Sequence, residues 1–349
     1  MPEPRGEFAR IAALVSILPK GEGVVVGPGD DAAVLRPHEG QELVVTTDTF
    51  VEGRHFRRDL LTPGEVGVRF AAANRSDLAA MAARPRWATL ALSLPPSWSE
   101  NEVRMFERAC ARELMTDGAA IVGGNLSATD GPFVATLTLI GEAAPGRAWT
   151  RAGAQPGDVL AVTGAPGSAA AFLALALWAE PPSRERAALE IAERFILPVS
   201  RVTFARALVA GGVTVRAAID VSDGLAADLA HLCTASGVGA VVDEARLPAD
   251  APLLGAARLL SAFSGQERGP LPAPELGLFT QLVLSASDDY ELLLAVAPGS
   301  WDGCVAIAAQ SGVPLTAIGE IASEPGLLLR ERAGGLVPLV ARGWDHFAR

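Results

Sequence analysis

Along the first part of the chain, short apolar runs that predict strands alternate with longer stretches that predict helices. Val24 to Val26 is apolar and β-branched, and Gly27-Pro28-Gly29 ends it. Ala32 to Leu35 resumes as a strand. Glu42 to Thr49 reads as another, with Leu43-Val44-Val45 running into Thr46-Thr47-Asp48-Thr49. Val51 to Phe56 is a loop. Pro63 to Ala83 is predicted helical, with the proline near its start, where a missing N–H costs nothing. Trp87 to Leu94 is a strand ended by Pro95-Pro96, and Glu100 to Thr116 a helix. Ala119 to Val122 is a short strand, after which Gly123-Gly124-Asn125-Leu126-Ser127 is expected to turn the chain. Phe133 to Ile140 closes this half as a strand.

Trp149 to Asp158 reads as a junction, dividing the chain into domains 1–148 and 149–349. Beyond it, Val159 to Val162, Ala217 to Val221, Val238 to Val242, Tyr290 to Val296 and Leu315 to Ile321 are predicted strands. Helices are expected after Gly167, over Arg184 to Phe195, over Ser200 to Ala210, from Leu225 through Leu229 and Leu232, and over Trp301 to Gln310. Gly255 to Gly277 resists assignment and reads as a variable surface segment. No repeat of 20–50 residues appears. At the start, Phe8, Ile11, Val15 and Leu18 share a helical face, and Glu3 and Glu7 precede them, so an amphipathic helix is expected rather than a secretion signal.

Composition narrows the chemistry. A length of 349 residues suits two domains, and half the residues are hydrophobic, enough for sizeable cores. A net charge of −11 gives no basic footprint for nucleic acid. The only lysine is Lys20, so neither a Walker-type GK[ST] loop nor a Schiff-base lysine is available. The 3 cysteines and 4 histidines are scattered. That argues against disulfides and zinc, fits a reducing cytoplasm, and leaves a hard, oxygen-liganded ion such as Mg2+ as the expected metal. The longest apolar run, Ala169 to Ala179, is shorter than the ~20 residues a membrane span needs.

Acidic residues gather at strand and helix ends. Asp30-Asp31 follows a tight turn. Two carboxylates ~4 Å apart repel by ~4 kcal/mol at an effective dielectric of ~20, a cost a divalent cation relieves, although a lone pair also suits a solvated turn. Asp48 among threonines is a strand cap or an oxygen ligand. Asp77 shares a face with Asn74 in an otherwise small, apolar helix and needs a partner, either a cation or the guanidinium of Arg69 or Arg75. Asp220-Val221-Ser222-Asp223-Gly224 closes a strand and opens a helix. An N-cap explains Ser222 or Asp223 but leaves Asp220 unexplained. Asp288-Asp289 again precedes an apolar strand, or is an exposed turn. The glycine loops at 123–124 and 164–167 are ordinary turns or places where backbone N–H groups approach phosphate. His55, beside Arg54, is a satisfied loop histidine or an anion contact. Carboxylates without a covalent nucleophile suit a Mg2+-dependent enzyme acting on phosphates.

Taken in order, Gly29-Asp30-Asp31-Ala-Ala-Val-Leu, Thr46-Thr47-Asp48-Thr-Phe-Val-Glu-Gly-Arg-His55-Phe, Asn74-Arg-Ser-Asp77-Leu, Trp149-Thr-Arg151-Ala-Gly, Ile219-Asp220-Val-Ser222-Asp223-Gly-Leu, Asp288-Asp289-Tyr-Glu-Leu and Gly343-Trp344-Asp-His-Phe closely resemble the thiamine-monophosphate kinase family of the aminoimidazole-ribonucleotide synthetase superfamily. The resemblance covers nearly the whole chain. It implies an α/β (α+β) two-domain fold, in which the N-terminal sheet forms a barrel across a homodimer and binds ATP and Mg2+. A C-terminal α/β domain would complete the nucleotide and substrate site. It implies transfer of a phosphoryl group from ATP to thiamine monophosphate, giving thiamine diphosphate in the cytoplasm, with several Mg2+ ions and no nucleic-acid or membrane partner.

By position, the resemblance makes Asp30, Asp31, Thr46, Thr47, Asp48, Asp77, Asn125, Asp220 and Asp223 metal ligands, with Asp31, Asp48, Asp77 and Asp220 central to catalysis. Gly124, Asn125, Arg151 and Ser222 would contact ATP or its metals. His55, Asp288 and Trp344 would contact thiamine phosphate. Two departures stand out. Asn125 replaces the Asp many relatives carry, removing one charge. Ser285-Ala286-Ser287-Asp288-Asp289-Tyr290 replaces Ser-Gly-Gly-Glu-Asp-Tyr, which is expected to restrict the backbone there. The rivals are another ATP-dependent synthetase of the superfamily and a non-catalytic nucleotide-binding module. The selenophosphate type needs an early reactive Cys, whereas Cys110 is the first here. The hydrogenase-maturation type ends in Cys, where this sequence reads Asp345-His346-Phe347-Ala348-Arg349.

Overall fold

The computed structural model describes residues 21–177, 186–263 and 277–344, together with Ile11, Ala12, Val15, Ser16 and Leu18. The amphipathic helix expected over residues 1–20 and the closing residues 345–349 lie largely outside that set. The chain divides into two compact units, Met1–Ala148 and Trp149–Arg349.

In the first unit, β1 (Val24–Val26) and β2 (Val34–Leu35) form a hairpin. A four-stranded sheet is built from β3 (Glu42–Val51), β4 (Arg84–Leu94), β5 (Ala120–Ala128) and β6 (Val134–Ala143), in the order β3-β6-β4-β5. Helices α1 (Pro63–Ala80) and α2 (Glu100–Thr116) pack on each other, and α1 packs on the sheet. Both helices start with capping boxes, Thr62 with Glu65 and Ser99 with Glu102, which satisfy otherwise orphaned N–H groups. Phe50 of β3 meets Phe70 of α1 at 5.1 Å between ring centroids, and Trp98 stacks on Phe133 at 3.9 Å. Arg75 is buried and donates to the Glu113 carbonyl, Thr116 and Asp117, a cation placed at the carbonyl end of α2.

The second unit holds β7 (Val159–Thr163), α3 (Ser168–Ala176), α4 (Arg186–Ile196), α5 (Val202–Ala210), β8 (Val215–Val221), α6 (Leu225–Ser236), β9 (Gly239–Asp243), α7 (Ala251–Phe263), α8 (Leu278–Leu284), β10 (Glu291–Val296), α9 (Trp301–Gln310), β11 (Leu315–Ala322), β12 (Gly326–Arg330) and β13 (Leu336–Pro338). Its seven-stranded sheet runs β13-β12-β9-β11-β7-β10-β8. Only β12 with β9 is parallel. The largest core joins Leu160, Val162, Ile219, Leu293 and Ile318 of the sheet to Leu175, Ile191, Leu229 and Leu253 of the covering helices.

Two expectations fail and three short elements went unread, each for a physical reason. Residues 123–127 do not turn but continue β5, paired in parallel with β4. A Cβ on Gly124 would lie 1.9 Å from the Leu90 carbonyl oxygen, so glycine is needed there for close strand approach. The unassigned stretch from Gly255 is helical as far as Phe263, with Leu253, Ala256 and Leu260 buried; residues 264–276 lie outside the described set. The short strands β12 and β13 and helix α8 carried too few residues for a periodic signal.

Candidate active site

In the first unit the side chains of β3 alternate. Val44, Thr46, Asp48 and Phe50 are drawn inward, whereas Leu43, Val45, Thr47 and Thr49 are exposed. Thr46 Oγ1 donates to Asp77 Oδ2 on α1, so a hydroxyl is one partner of Asp77, while the Arg75 guanidinium serves α2. Burial first, and the adjacent Asp77 charge second, push Asp48 up to about 7. Thr46, Asp48 and Asp77 are therefore brought together. Thr47 is not: its hydroxyl lies on the opposite face, 2.8 Å from Thr138 Oγ1.

Asp30 and Asp31 are exposed at the tip of the β1–β2 hairpin, and the Asp31 amide donates to Asp30 Oδ1 at 2.9 Å. Gly124 and Asn125 are exposed on edge strand β5. The His55 ring stacks on Phe50 at 5.6 Å, and its Nδ1 accepts from the Val51 N–H at 3.1 Å. That contact assigns the ring proton to Nε2.

In the second unit, buried Asp220 ends β8, and the turn Ser222-Asp223-Gly224 leads into α6. Gly224 has φ +119°, and a Cβ there would lie 2.3 Å from the Ser285 carbonyl oxygen. Residues 285–286 thus lie directly against the turn. Tyr290 donates its N–H to the Val221 carbonyl at 2.9 Å and holds φ 56°, a left-handed strain for an aromatic residue. Trp344, 55% exposed, donates its N–H to the Asp223 carbonyl at 3.2 Å. The structure therefore gathers Asp220, Ser222, Asp223, the 285–289 loop bearing Asp288, and Trp344. Arg151 is exposed at the start of the unit.

Ala286 and Ser287 are absent from the described non-glycine residues with positive φ, so the loss of two glycines strains nothing. Ser287 even gains a role, donating to Asp289 Oδ2 at 2.6 Å. Asp289 also accepts from the Gly167 and Ala169 amides, at 2.6 and 2.8 Å. Burial pushes it up to about 6 against those hydrogen bonds. The Gly167 amide is therefore taken by Asp289, and that of Gly164 by the Pro314 carbonyl.

Two residues escaped the sequence reading. Asp228 lies one turn into α6 and accepts from Ser222, Asp223 and Gly224. Its signal, like that of Asp77, was an acid inside an apolar helix. Arg201 grips Glu291 through two hydrogen bonds of 2.6 and 2.7 Å and anchors the start of β10.

Among the described residues no group of three or more acids, histidines or cysteines forms a ready metal cage. The donors present nevertheless fit Mg2+, which keeps several waters and commonly takes one or two carboxylates plus substrate phosphates. Asp48 and Asp77 are all-oxygen ligands whose mutual charge makes full ionisation costly without a cation.

Residues 29–143 match the family model of the AIR synthase related protein N-terminal domain, and residues 155–330 that of its C-terminal domain. The chain is 37% identical over 345 residues to a thiamine-monophosphate kinase of Salmonella typhimurium (strain LT2), covering 98% of each protein. A crystal structure of thiamine-monophosphate kinase from Stenotrophomonas maltophilia K279a superposes with TM-score 0.76 at 34% identity, covering 92% of this chain and 94% of that one. A structure described as AaThiL complexed with AMPPCP and TMP superposes with TM-score 0.73 at 26% identity, covering 99% of both chains.

Proposed function

From the premise that the chain belongs to the AIR synthase related family and, within it, to the thiamine-monophosphate kinases, we propose that it transfers the γ-phosphoryl group of ATP to thiamine monophosphate, yielding thiamine diphosphate and ADP. The observation that carries this reading is full-length relatedness to kinases of that activity, joined to two acid-rich turns at strand ends and no lysine-bearing phosphate loop.

The acceptor is a phosphate oxygen already ionised near neutral pH, so no general base is required. That suits a site whose histidine, His55, has its Nδ1 engaged by the Val51 backbone. The difficulty is the approach of two anions. Bound Mg2+ would supply positive charge against that repulsion. In the first unit Thr46, Asp48 and Asp77, with Asp30, Asp31 and Asn125, are the ligands proposed for it; in the second unit Asp220 and Asp223 are. Thr47, the remaining ligand the resemblance implies, turns its hydroxyl to Thr138. Gly124, Arg151 and Ser222 would contact the nucleotide, the Arg151 guanidinium adding charge to the phosphates. His55 in the first unit, and Asp288 and Trp344 in the second, are the contacts proposed for thiamine phosphate. We assign ATP, Mg2+ and dimerisation to 1–148, and nucleotide and substrate contacts to 149–349.

The reading includes a homodimer in the cytoplasm. The exposed Leu43 and Val45 on the outward face of β3, at 54% and 59% exposure, support an interface there, and three free, buried cysteines suit a reducing compartment. No described helix is long and apolar enough to cross a membrane. Light scattering should give a mass near twice the chain's 36.0 kDa. The deciding experiment combines purified protein, Mg·ATP and thiamine monophosphate and measures thiamine diphosphate. No product despite ATP binding refutes the reading, and a trapped phosphoenzyme refutes direct in-line transfer.

A further inference from the structure

We propose that Asp228 is a positioning residue for the Asp220–Gly224 turn: its carboxylate fills the turn's amide cradle from within, so that nucleotide phosphates meet this turn through side chains and the ions they hold rather than through backbone N–H groups. Three consecutive amides, of Ser222, Asp223 and Gly224, point at one oxygen, Asp228 Oδ2, at 3.0, 3.1 and 3.1 Å. Successive N–H groups converging at a helix start make a concavity that ordinarily takes an anion such as phosphate. Here the anion belongs to the helix itself, and Asp228 is only 2% exposed. No space remains at those amides for a second oxyanion.

Two consequences follow from the geometry. The directions in which Ser222 and Asp223 project are set by Asp228, because all three amides of the turn are tied to it. So is the Asp223 carbonyl, which accepts from the Trp344 N–H. Asp228 therefore links a candidate metal ligand and a candidate substrate contact without touching either ligand itself. The same device recurs on the other side of β10. There Asp289 takes the Gly167 and Ala169 amides at the start of α3, and Ser287 Oγ takes that of Ala170 at 3.2 Å. Both helix starts flanking β10 are closed by acids of the same unit.

The inference rests on the kinase reading only in taking Mg·ATP as the ligand of this turn. The test compares wild type with Asp228→Asn, which keeps an oxygen acceptor but loses the charge, and Asp228→Ala, which empties the cradle. Calorimetry with Mg2+ and a non-hydrolysable ATP analogue reads binding, turnover reads kcat and the Mg2+ response, and thermal melting reads the fold. Asp228→Asn should stay folded while Mg·nucleotide affinity and the Mg2+ response weaken by ~10–100-fold, the usual cost of losing a residue that orients ligands. Added formate should restore part of both in Asp228→Ala by reoccupying the cradle. Wild-type affinity and Mg2+ response in Asp228→Asn, with only the melting temperature lowered, would overturn the proposal. If wild type binds Mg·nucleotide but forms no thiamine diphosphate, the kinase reading fails, and the loss of binding in Asp228→Asn still decides the role of Asp228.

Discussion

Glu107 offers the cleanest quantitative test of the fold. It lies on the face of α2 that includes Phe106, Cys110 and Leu114, is 4% exposed, and its Oε2 has no hydrogen-bond partner. Burial alone pushes it from 4.5 up to about 7. The sign follows directly. A carboxyl whose folded value is raised binds protons more readily when folded, so stability falls as pH climbs through 4.5 toward 7 and stays reduced above it. At ~1.4 kcal/mol per pH unit, the penalty above neutrality is roughly 3 kcal/mol. Glu107→Gln resembles the protonated side chain and removes that penalty. At pH 8 it should therefore raise the melting temperature of the first unit by roughly 6–12 °C, while at pH 4 the variant and wild type should melt together. Thermal melts at several pH values, with urea titrations for the free energy, provide the assay. An equal gain at both ends of the pH range, or none at pH 8, refutes burial of an unpartnered charge as the cause.

The other predictions concern packing and the site. Gly67→Ala places a Cβ 2.2 Å from the Phe106 carbonyl oxygen, so α1 and α2 must part; urea unfolding should show a loss of ~1–3 kcal/mol, and a neutral result would mean the helices are not held that close. Thr46→Val keeps the side chain's shape but removes the hydroxyl that serves Asp77. Turnover and Mg2+ response should fall while stability changes by only ~1 kcal/mol, and unchanged turnover would show that the pair is structural. Asp31→Asn should still bind thiamine monophosphate in calorimetry yet lose most turnover. Near-normal turnover at ordinary Mg2+ would return the hairpin acids to the role of a solvated turn.

The sequence was readable where one physical effect dominated. The strand expected over Glu42 to Thr49 and the helices expected over Pro63 to Ala83 and Glu100 to Thr116 are real elements because local preference and burial agree there. Residues 123–127 were misleading because Gly and Asn are turn formers, while their use here is to let β5 lie against β4. Thr47 is a different case. Neighbouring residues on a strand point to opposite faces, so Thr46, Thr47 and Asp48 could not all present side chains to one site. The period was already in the sequence, and the family pattern obscured it. The altered loop at 285–290 looked restrictive without its glycines, yet the substituted residues adopt no positive φ and Ser287 adds a hydrogen bond to Asp289.

Asp77 and Asp228 lie in mostly apolar helices and Glu107 on the buried face of the charged α2, and their surroundings separate the three. Burial pushes Asp228 up to about 6, but three amides oppose that shift and converge on one of its oxygens, which is used in shaping a turn. Glu107 has an oxygen with no partner and is pushed toward the neutral form, so it is a cost to the fold that pH can reveal. Asp77 lies between these cases: a hydroxyl from Thr46 reaches it, but Asp48 beside it is pushed up to about 7 partly by its charge. Two neighbouring carboxylates, one of them raised partly by the other's charge, are where an added cation lowers the free energy of the charged pair. The proposed placement of Mg2+ on Asp48 and Asp77, with Asp228 as a support of its turn, rests on what surrounds each carboxylate rather than on counting acids in the sequence.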